Sequence, residues 1–252
     1  MKETNSNNEL TMSLELWPFH LDLEKRYPLS QVVSRMIHVS GEHATHFGFG
    51  IDRLMEHGVT WVLSRMSINF IRPITVSHPL VISTGVDEWS GLTTNRVIRL
   101  SQDDIPVAEC MTKWVAIDLE RRMPIPIDKV LTDPSLRSKY PGVKLPEISK
   151  RLWGMEIQEL LQPAFEHLVR YSDLDINRHV NTSAWISLAM DAIPVDWLSQ
   201  HVIKSAHLRF VKEGRAGDLL QIWTYHTPEA EYLEVKCEDA TYFQLHIEWA
   251  DC

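Results

Sequence analysis

The feature that most constrains this chain is that it repeats itself. With a constant offset of 140 residues and no gap, residues 66–84 (Met66-Ser-Ile-Asn-Phe-Ile-Arg-Pro-Ile-Thr-Val-Ser-His-Pro-Leu-Val-Ile-Ser-Thr84) lie against residues 206–224. Phe70 meets Phe210, Ile71 meets Val211, Arg72 meets Lys212, Leu80 meets Leu220, Ile82 meets Ile222 and Thr84 meets Thr224. Each copy is preceded by an apolar stretch with helical character, residues 47–55 in the first and 185–193 in the second, and is followed by strand-like runs. The expectation is one structural unit used twice.

The strands announce themselves by alternation. In residues 241–250, Phe243, Leu245, Ile247 and Trp249 point one way and Tyr242, Gln244, His246 and Glu248 the other, so one face is expected to be buried. Similar signals occupy residues 59–70, 80–86, 95–100, 107–117, 202–211, 219–226 and 232–237. Each half therefore reads as a strand, one long helix and a meander, which predicts an α+β fold with an antiparallel sheet wrapped around its helix. Residues 122–163 hold Pro124, Pro126, Pro134, Pro141, Pro146 and Pro163, the mark of a connector running over the surface. The domain reading is thus 12–121, a connector over 122–163, and 164–252.

Composition narrows the class. With 44% hydrophobic and 23% charged residues the chain carries enough apolar material for real cores. The first ten residues are polar and no run of eighteen apolar residues occurs, so neither a signal peptide nor a membrane span is expected. Cys110, Cys237 and Cys252 are isolated, which argues against a disulfide framework or thiolate metal site and fits a reducing cytoplasm. A formal net charge of −9 speaks against nucleic acid as a partner, since phosphate affinity comes from basic surface.

The chemistry concentrates in residues 173–182, Asp-Leu-Asp-Ile-Asn-Arg-His-Val-Asn-Thr, immediately before an apolar helical run. Asp173, Asp175, Asn177, His179 and Asn181 place two carboxylates, two amides and an imidazole at a helix start, where backbone N–H groups lack intrahelical acceptors and suit an anion or polarised carbonyl. Capping a helix explains one or two such groups, not five. Elsewhere the signals are poor. His38, His43 and His46 have no Cys partner or helical Glu pair to complete a zinc site, and Ser64 and Ser90 lack the glycines of a nucleophile elbow. No Gly-rich loop forms a phosphate or dinucleotide cradle, so no cofactor is implied.

The order of segments, and above all Asp175-x-Asn177-x-His179-Val180-Asn181, resembles the acyl-acyl-carrier-protein thioesterases, the plant plastid enzymes and their shorter bacterial relatives. The resemblance covers residues 14–249. It implies a tandem double hot-dog fold with the reactive residues in the second domain. It also implies a further reactive Glu on the strand after the helix, in a stretch similar to Leu208-Arg-Phe-Val-Lys-Glu213, so that Glu213 is the match. The plant enzymes carry Cys directly after that Glu; this chain has Gly214, so a papain-like cysteine mechanism does not apply.

The repeat gives a separate reason to look to the second half. Glu213 faces Pro73 at the same offset, and pairing His179 with His38 by a one-residue shift sets Asp175 and Asn177 against Ser34 and Met36. The first half is then left to line an acyl chain, through Phe47, Phe49, Ile51, Leu54 and Met55.

Thioester hydrolysis needs an activated oxygen and donors aimed at the oxyanion. Residues 178–182 are the candidate donors, Asn177 would hold the thioester or the water, and Asn181 would contact substrate. His179 and Glu213 are base candidates; alternatively Asp175 attacks directly and forms an anhydride, the route slightly favoured by the lack of Ser or Cys in the loop.

The resemblance implies hydrolysis of fatty acyl-[acyl-carrier-protein], with an acyl-coenzyme A thioesterase or a non-catalytic acyl-binding protein of the same fold as alternatives. Docking an acidic carrier protein on an acidic chain needs a basic patch, for which Arg170, Arg178, Lys204, Arg209, Lys212 and Arg215 are candidates. A homodimer is left open.

Overall fold

Alternating apolar residues build antiparallel strand ladders in the computed structural model, which describes residues 2–4, 8–76, 78–137 and 162–251. Contacts group the chain into two units, Met1–Tyr27 with Arg35–Leu145 and Pro28–Ser34 with Pro146–Cys252.

In the first unit, β1 (Lys2–Thr4), β2 (Leu10–Leu14), β3 (Val59–Phe70), β4 (Leu80–Ser90), β5 (Thr93–Gln102) and β6 (Ile105–Asp118) run in the order β1-β2-β4-β5-β6-β3, with β7 (Met123–Pro124) on β6. The β5–β6 hairpin turns through Asp103 and Asp104, both with positive φ (50° and 60°), the two-residue turn whose twist matches the strands it joins. Helix α1 (Leu29–His46), of which residues 35–46 belong to this unit, buries Met36, Val39, Ser40, His43 and Ala44 here, a three-and-four spacing that forms one stripe.

This is the long helix of the first half, and residues 47–55 are not. Gly48 in the left-handed region (φ 80°) follows the end of α1, and only α2 (Ile51–Met55), one and a half turns, forms beyond it. Phe47 lies past the helix end, Leu54 is buried, and Ile51 and Met55 are exposed. Ile51 and Met55 therefore lie outside the buried core of this unit.

The second unit contains β8 (Phe165–Leu168), α4 (Thr182–Met190), α5 (Val195–Gln200), β9 (His201–Phe210), β10 (Leu219–His226), β11 (Ala230–Cys237) and β12 (Ala240–Asp251), in the sheet order β9-β12-β11-β10-β8. Its helix is nine residues, not the long one expected. Trp185 from α4 stacks on Phe243 of β12, ring centroids 6.1 Å apart, and Phe243 meets Phe210 at 5.1 Å. Both faces of β12 are buried over residues 243–247, contrary to the one-faced pattern, because His246 sits opposite His207 on β9 and against Tyr232 on β11.

The repeat has a structural counterpart where it was strongest. β3 ends at Phe70 and β9 at Phe210, and Leu80 opens β4 while Leu220 is the second residue of β10. The copies then lose register because β10 has 8 residues where β4 has 11.

Residues 138–161 of the proline-rich connector lie outside the described residues. Its first part is not a surface run: α3 (Ile127–Val130) and Leu131 bury Ile127 and Leu131 in a cluster with Phe49, Leu54, Val59 and Ala116. Apolar residues at four-residue spacing found a hydrophobic surface to cover. Among the described residues no helix is long and apolar enough to cross a membrane.

Candidate active site

The loop between β8 and α4 is held by its own polar residues. Asp175 Oδ1 accepts from the backbone N–H of Asn177 (2.8 Å) and of His179 (3.1 Å), while Arg178 N donates to Asp175 O at 3.0 Å and Asp175 N to His179 O at 2.8 Å. This closes a tight turn in which Arg178 takes positive φ (64°). A short carboxylate one residue into such a turn replaces the hydrogen bonds a helix would otherwise supply. One carboxylate oxygen of the proposed nucleophile is therefore engaged in shaping the loop.

The turn is then stitched to the segment after β9. Val180 N donates to Gly214 O at 2.8 Å, and His179 and Arg215 face each other as an isolated antiparallel bridge. That pairing brings His179 Nε2 to 3.2 Å from Glu213 Oε2, with Arg215 Nη2 3.8 Å from the same oxygen. Glu213 stands three residues beyond the end of β9, in irregular chain and not on the strand itself. Gly214 is required here by space. A Cβ at this position would lie 2.7 Å from Val180 Cγ2 and 2.8 Å from two ring carbons of Trp185. The position after Glu213 can hold no side chain while Trp185 packs as it does.

Asn181 caps α4, contrary to the expectation of a substrate contact. Its Oδ1 accepts from Ala184 N at 2.8 Å, and its Nδ2 and backbone N–H both donate to Asp173 O, at 2.9 and 2.8 Å. The expected oxyanion donors are also mostly committed: the N–H groups of Arg178, His179, Val180 and Asn181 all have acceptors within the protein. The first-turn N–H groups of Thr182 and Ser183 have no intrahelical acceptor, as in any helix start. The side-chain amide of Asn177 is exposed and without a partner among the described residues.

The partner of Asp173, His167, escaped the linear reading. Asp173 Oδ2 accepts from His167 Nε2 and from Arg170 N, both at 2.8 Å, so a second His–carboxylate pair anchors the loop from β8. Burial alone would raise the Asp173 pKa, but the Arg170 N–H and His167 hold it below the usual carboxylate range. Its signal was present: a partly buried carboxylate at the head of the motif has to find donors.

The remaining candidates are dispersed. Arg209 Nη1 donates to Gln244 Oε1 across the sheet at 3.2 Å, and Lys212 Nζ lies 5.6 Å over the Tyr242 ring. Arg178 and Arg215, both exposed, flank His179. His38 is exposed on the middle of α1, far along the helix from any loop, while His43 of the same helix is buried.

Comparison with known proteins identifies the family. Residues 160–251 match the acyl-ACP thioesterase C-terminal domain, and residues 8–134 match the acyl-ACP thioesterase N-terminal domain. An oleoyl-acyl carrier protein thioesterase from Coriandrum sativum is 25% identical over 84% of this chain, and one from Arabidopsis thaliana is 23% identical over 84%. The chain spans only 61% and 62% of the lengths of these two chloroplastic relatives. Among solved structures, an acyl-ACP thioesterase from Bacteroides thetaiotaomicron superposes with a TM-score of 0.84 at 24% identity, covering 97% of this chain and 98% of that one. The 12:0-ACP thioesterase from Umbellularia californica gives 0.81 at 16% identity, covering 99% and 100%. With both halves matched in order and the fold shared over the whole length, this chain belongs to the acyl-ACP thioesterase family.

Proposed function

We propose that the chain is a cytoplasmic hydrolase that releases free fatty acid from acyl-[acyl-carrier-protein], with its chemistry in residues 175–213. The observation that carries this reading is the contact of His179 Nε2 with Glu213 Oε2 at 3.2 Å, beside the unengaged amide of Asn177. A carboxylate can only accept there, so Nε2 carries the proton and Nδ1 is left as the basic atom. In this mechanism Nδ1 removes a proton from water while the water oxygen bonds to the thioester carbon. Asn177 Nδ2 donates to the developing oxyanion. Collapse breaks the carbon–sulfur bond, and the imidazolium returns the proton to the departing thiolate, giving fatty acid and thiol. Glu213 orients the ring and balances its charge.

Water is the proposed nucleophile in preference to Asp175, since Asp175 Oδ1 already accepts two backbone N–H bonds. Exposed Arg170, Arg178, Lys212 and Arg215 supply positive charge near the site for an acidic carrier despite the net charge of −9.

The test is thiol release from carrier-protein and coenzyme A thioesters of matched chains at low salt. Faster turnover of the carrier substrate, with charge reversal at Lys212 and Arg215 raising its KM more than that of the coenzyme A ester, supports the assignment. Equal or reversed rates point to an acyl-coenzyme A thioesterase, and no release at all to an acyl-binding protein.

A further inference from the structure

The interior of the first unit contains a charge that an alkyl-chain lining does not need. Arg96 on β5 is 4% exposed. Its Nη1 donates to Thr84 Oγ1 at 3.3 Å, and Thr84 Oγ1 in turn donates to Val97 O at 2.9 Å. Among the described residues no carboxylate pairs with it. A guanidinium has five N–H donors, and burying it without acceptors is among the costliest arrangements a fold can keep.

The direction of the side chain follows from register. Arg96 sits directly across from Val86 on β4 and Thr112 on β6. Directly opposed residues share a face of the sheet. Val86 packs in one cluster with Ala44, from the last turns of α1, and Phe49. Arg96 therefore emerges on the face that α1 covers.

His43, the residue before Ala44, completes the picture from the helix side. It is 1% exposed, and its ring lies 4.7 Å from Phe47 and 5.6 Å from Phe49, centroid to centroid. Its Nε2 is 2.8 Å from Asn8 O, an atom that only accepts, so Nε2 carries the ring proton. Burial first, and the Arg96 charge second, keep the ring neutral, with a pKa lowered to about 3. Nδ1 is then a lone pair, buried and without a partner. Unsatisfied donors on the sheet and an unsatisfied acceptor on the helix thus sit within electrostatic reach of each other.

We infer that Arg96, Thr84 and His43 form a polar site inside the first unit that takes a hydroxyl group carried along an acyl chain, the hydroxyl oxygen accepting from Arg96 and its O–H donating to His43 Nδ1. The substrate class is then the hydroxylated fatty acyl thioester, and this part of the inference rests on the thioesterase reading above. A hydroxyl is selected because it alone among common chain substituents both accepts and donates. A carboxylate or keto oxygen satisfies Arg96 and turns lone pairs toward Nδ1. An ammonium repels Arg96, and an alkyl chain satisfies neither group. A site with buried polar groups discriminates strongly against an analogue that leaves them unpaired.

Two readouts on the full chain test this, using C16 chains that are unsubstituted, keto-substituted or hydroxylated at graded positions. The first is kcat/KM for the thioesters. The second is the rise in melting temperature caused by the corresponding free acids, which needs no turnover. For the hydroxylated isomer that reaches the site, we expect kcat/KM at least about tenfold above the unsubstituted chain, and the larger thermal shift, with the keto chain between them. Arg96→Met should collapse the hydroxyl-to-alkyl ratio toward one. Thr84→Val, a milder change that keeps the charge, should lower it severalfold and guards against misfolding of the first variant. If no hydroxylated isomer exceeds the unsubstituted chain in either readout, or if both ratios survive in the variants, the inference is wrong. Hydroxyl-selective thermal shifts with no hydrolysis of any thioester would uphold this site and overturn the thioesterase reading instead.

Discussion

Replacing Gly214 with Ala should damage stability and turnover together, because the same contact fixes both. The added Cβ would stand 2.7 Å from Val180 Cγ2 and 2.8 Å from Trp185 Cη2 and Cζ2, where carbon pairs settle at about 3.5–4.0 Å. Trp185 is 3% exposed and stacked on Phe243, so the ring has little room to retreat. Either the core around it or the 213–215 segment must move by about 1 Å. Overpacking of this kind costs roughly 1–3 kcal/mol, and a chain of this size loses roughly 2–4 °C of melting temperature per kcal/mol. If the segment moves, the Val180–Gly214 hydrogen bond lengthens and Glu213 leaves its 3.2 Å contact with His179. A misplacement of that size costs about a hundredfold in rate. Thermal melting followed by circular dichroism, together with kcat/KM, reads both effects. Wild-type values for both in Gly214→Ala would refute the claim that close packing on Trp185 sets the geometry of the site.

Three further outcomes are expected. Asp175→Asn keeps an Oδ1 that accepts from Asn177 and His179, so turnover should stay within about tenfold of wild type, whereas His179→Ala should lose about two orders of magnitude; loss in Asp175→Asn as deep as in His179→Ala would revive Asp175 as the nucleophile. Asn181→Ala removes the cap on α4 and the tie to Asp173, and should lower the unfolding free energy by about 1–2 kcal/mol in urea titrations, while an unchanged midpoint would return Asn181 to the candidates for substrate contact. His43 and His246 are held neutral by burial, with pKa values lowered from 6.5 to about 3 and about 4, so the unfolded chain takes up protons that the folded chain refuses. Stability is then full above pH 6.5 and falls as pH drops from 6.5 toward 4, by about 1.4 kcal/mol per pH unit for each histidine at the steepest point; a flat profile across that window would contradict the burial of both rings.

What was legible in the sequence was what depends on period two. Strands β3 and β10 have the bounds that alternation predicted, and the match of Phe70 with Phe210 marks real strand ends. Helix α1 was hidden because its buried stripe includes Ser40 and His43, polar residues that dilute an apolar signal, while Phe47, Phe49 and Leu54 gathered more hydrophobicity over a stretch that Gly48 and Gly50 break. The residue set of the candidate site was legible and its division of labour was not. Asp175, Asn181 and the N–H groups of residues 178–181 have the chemistry of catalysts and donors, but only three-dimensional structure shows that the loop itself uses them.

The asymmetry of the repeat has a structural basis in helix length. At the offset of 140, residues 173–181 correspond to residues 33–41, which lie wholly inside α1. The first copy keeps these positions helical, with Met36 and Val39 buried and His38 on the exposed side of the helix. The second copy begins its helix only at Thr182, so its equivalent residues are loop, and the helical hydrogen bonds given up there are replaced partly by other backbone carbonyls and partly by side chains: Asp175 for the turn, Asn181 for the cap, and Asp173 with His167 for the anchor. Uncoiling exposes Asn177 and lets His179 bridge to Arg215 in the irregular segment that carries Glu213. In the first copy no sequence change at position 38 alone can do this, because a residue in mid-helix has its backbone N–H and C=O already committed and cannot bridge to a neighbouring strand. The shorter helix is therefore what lets the second copy assemble the proposed site, and the polar residues of the motif are first of all the means of keeping it short.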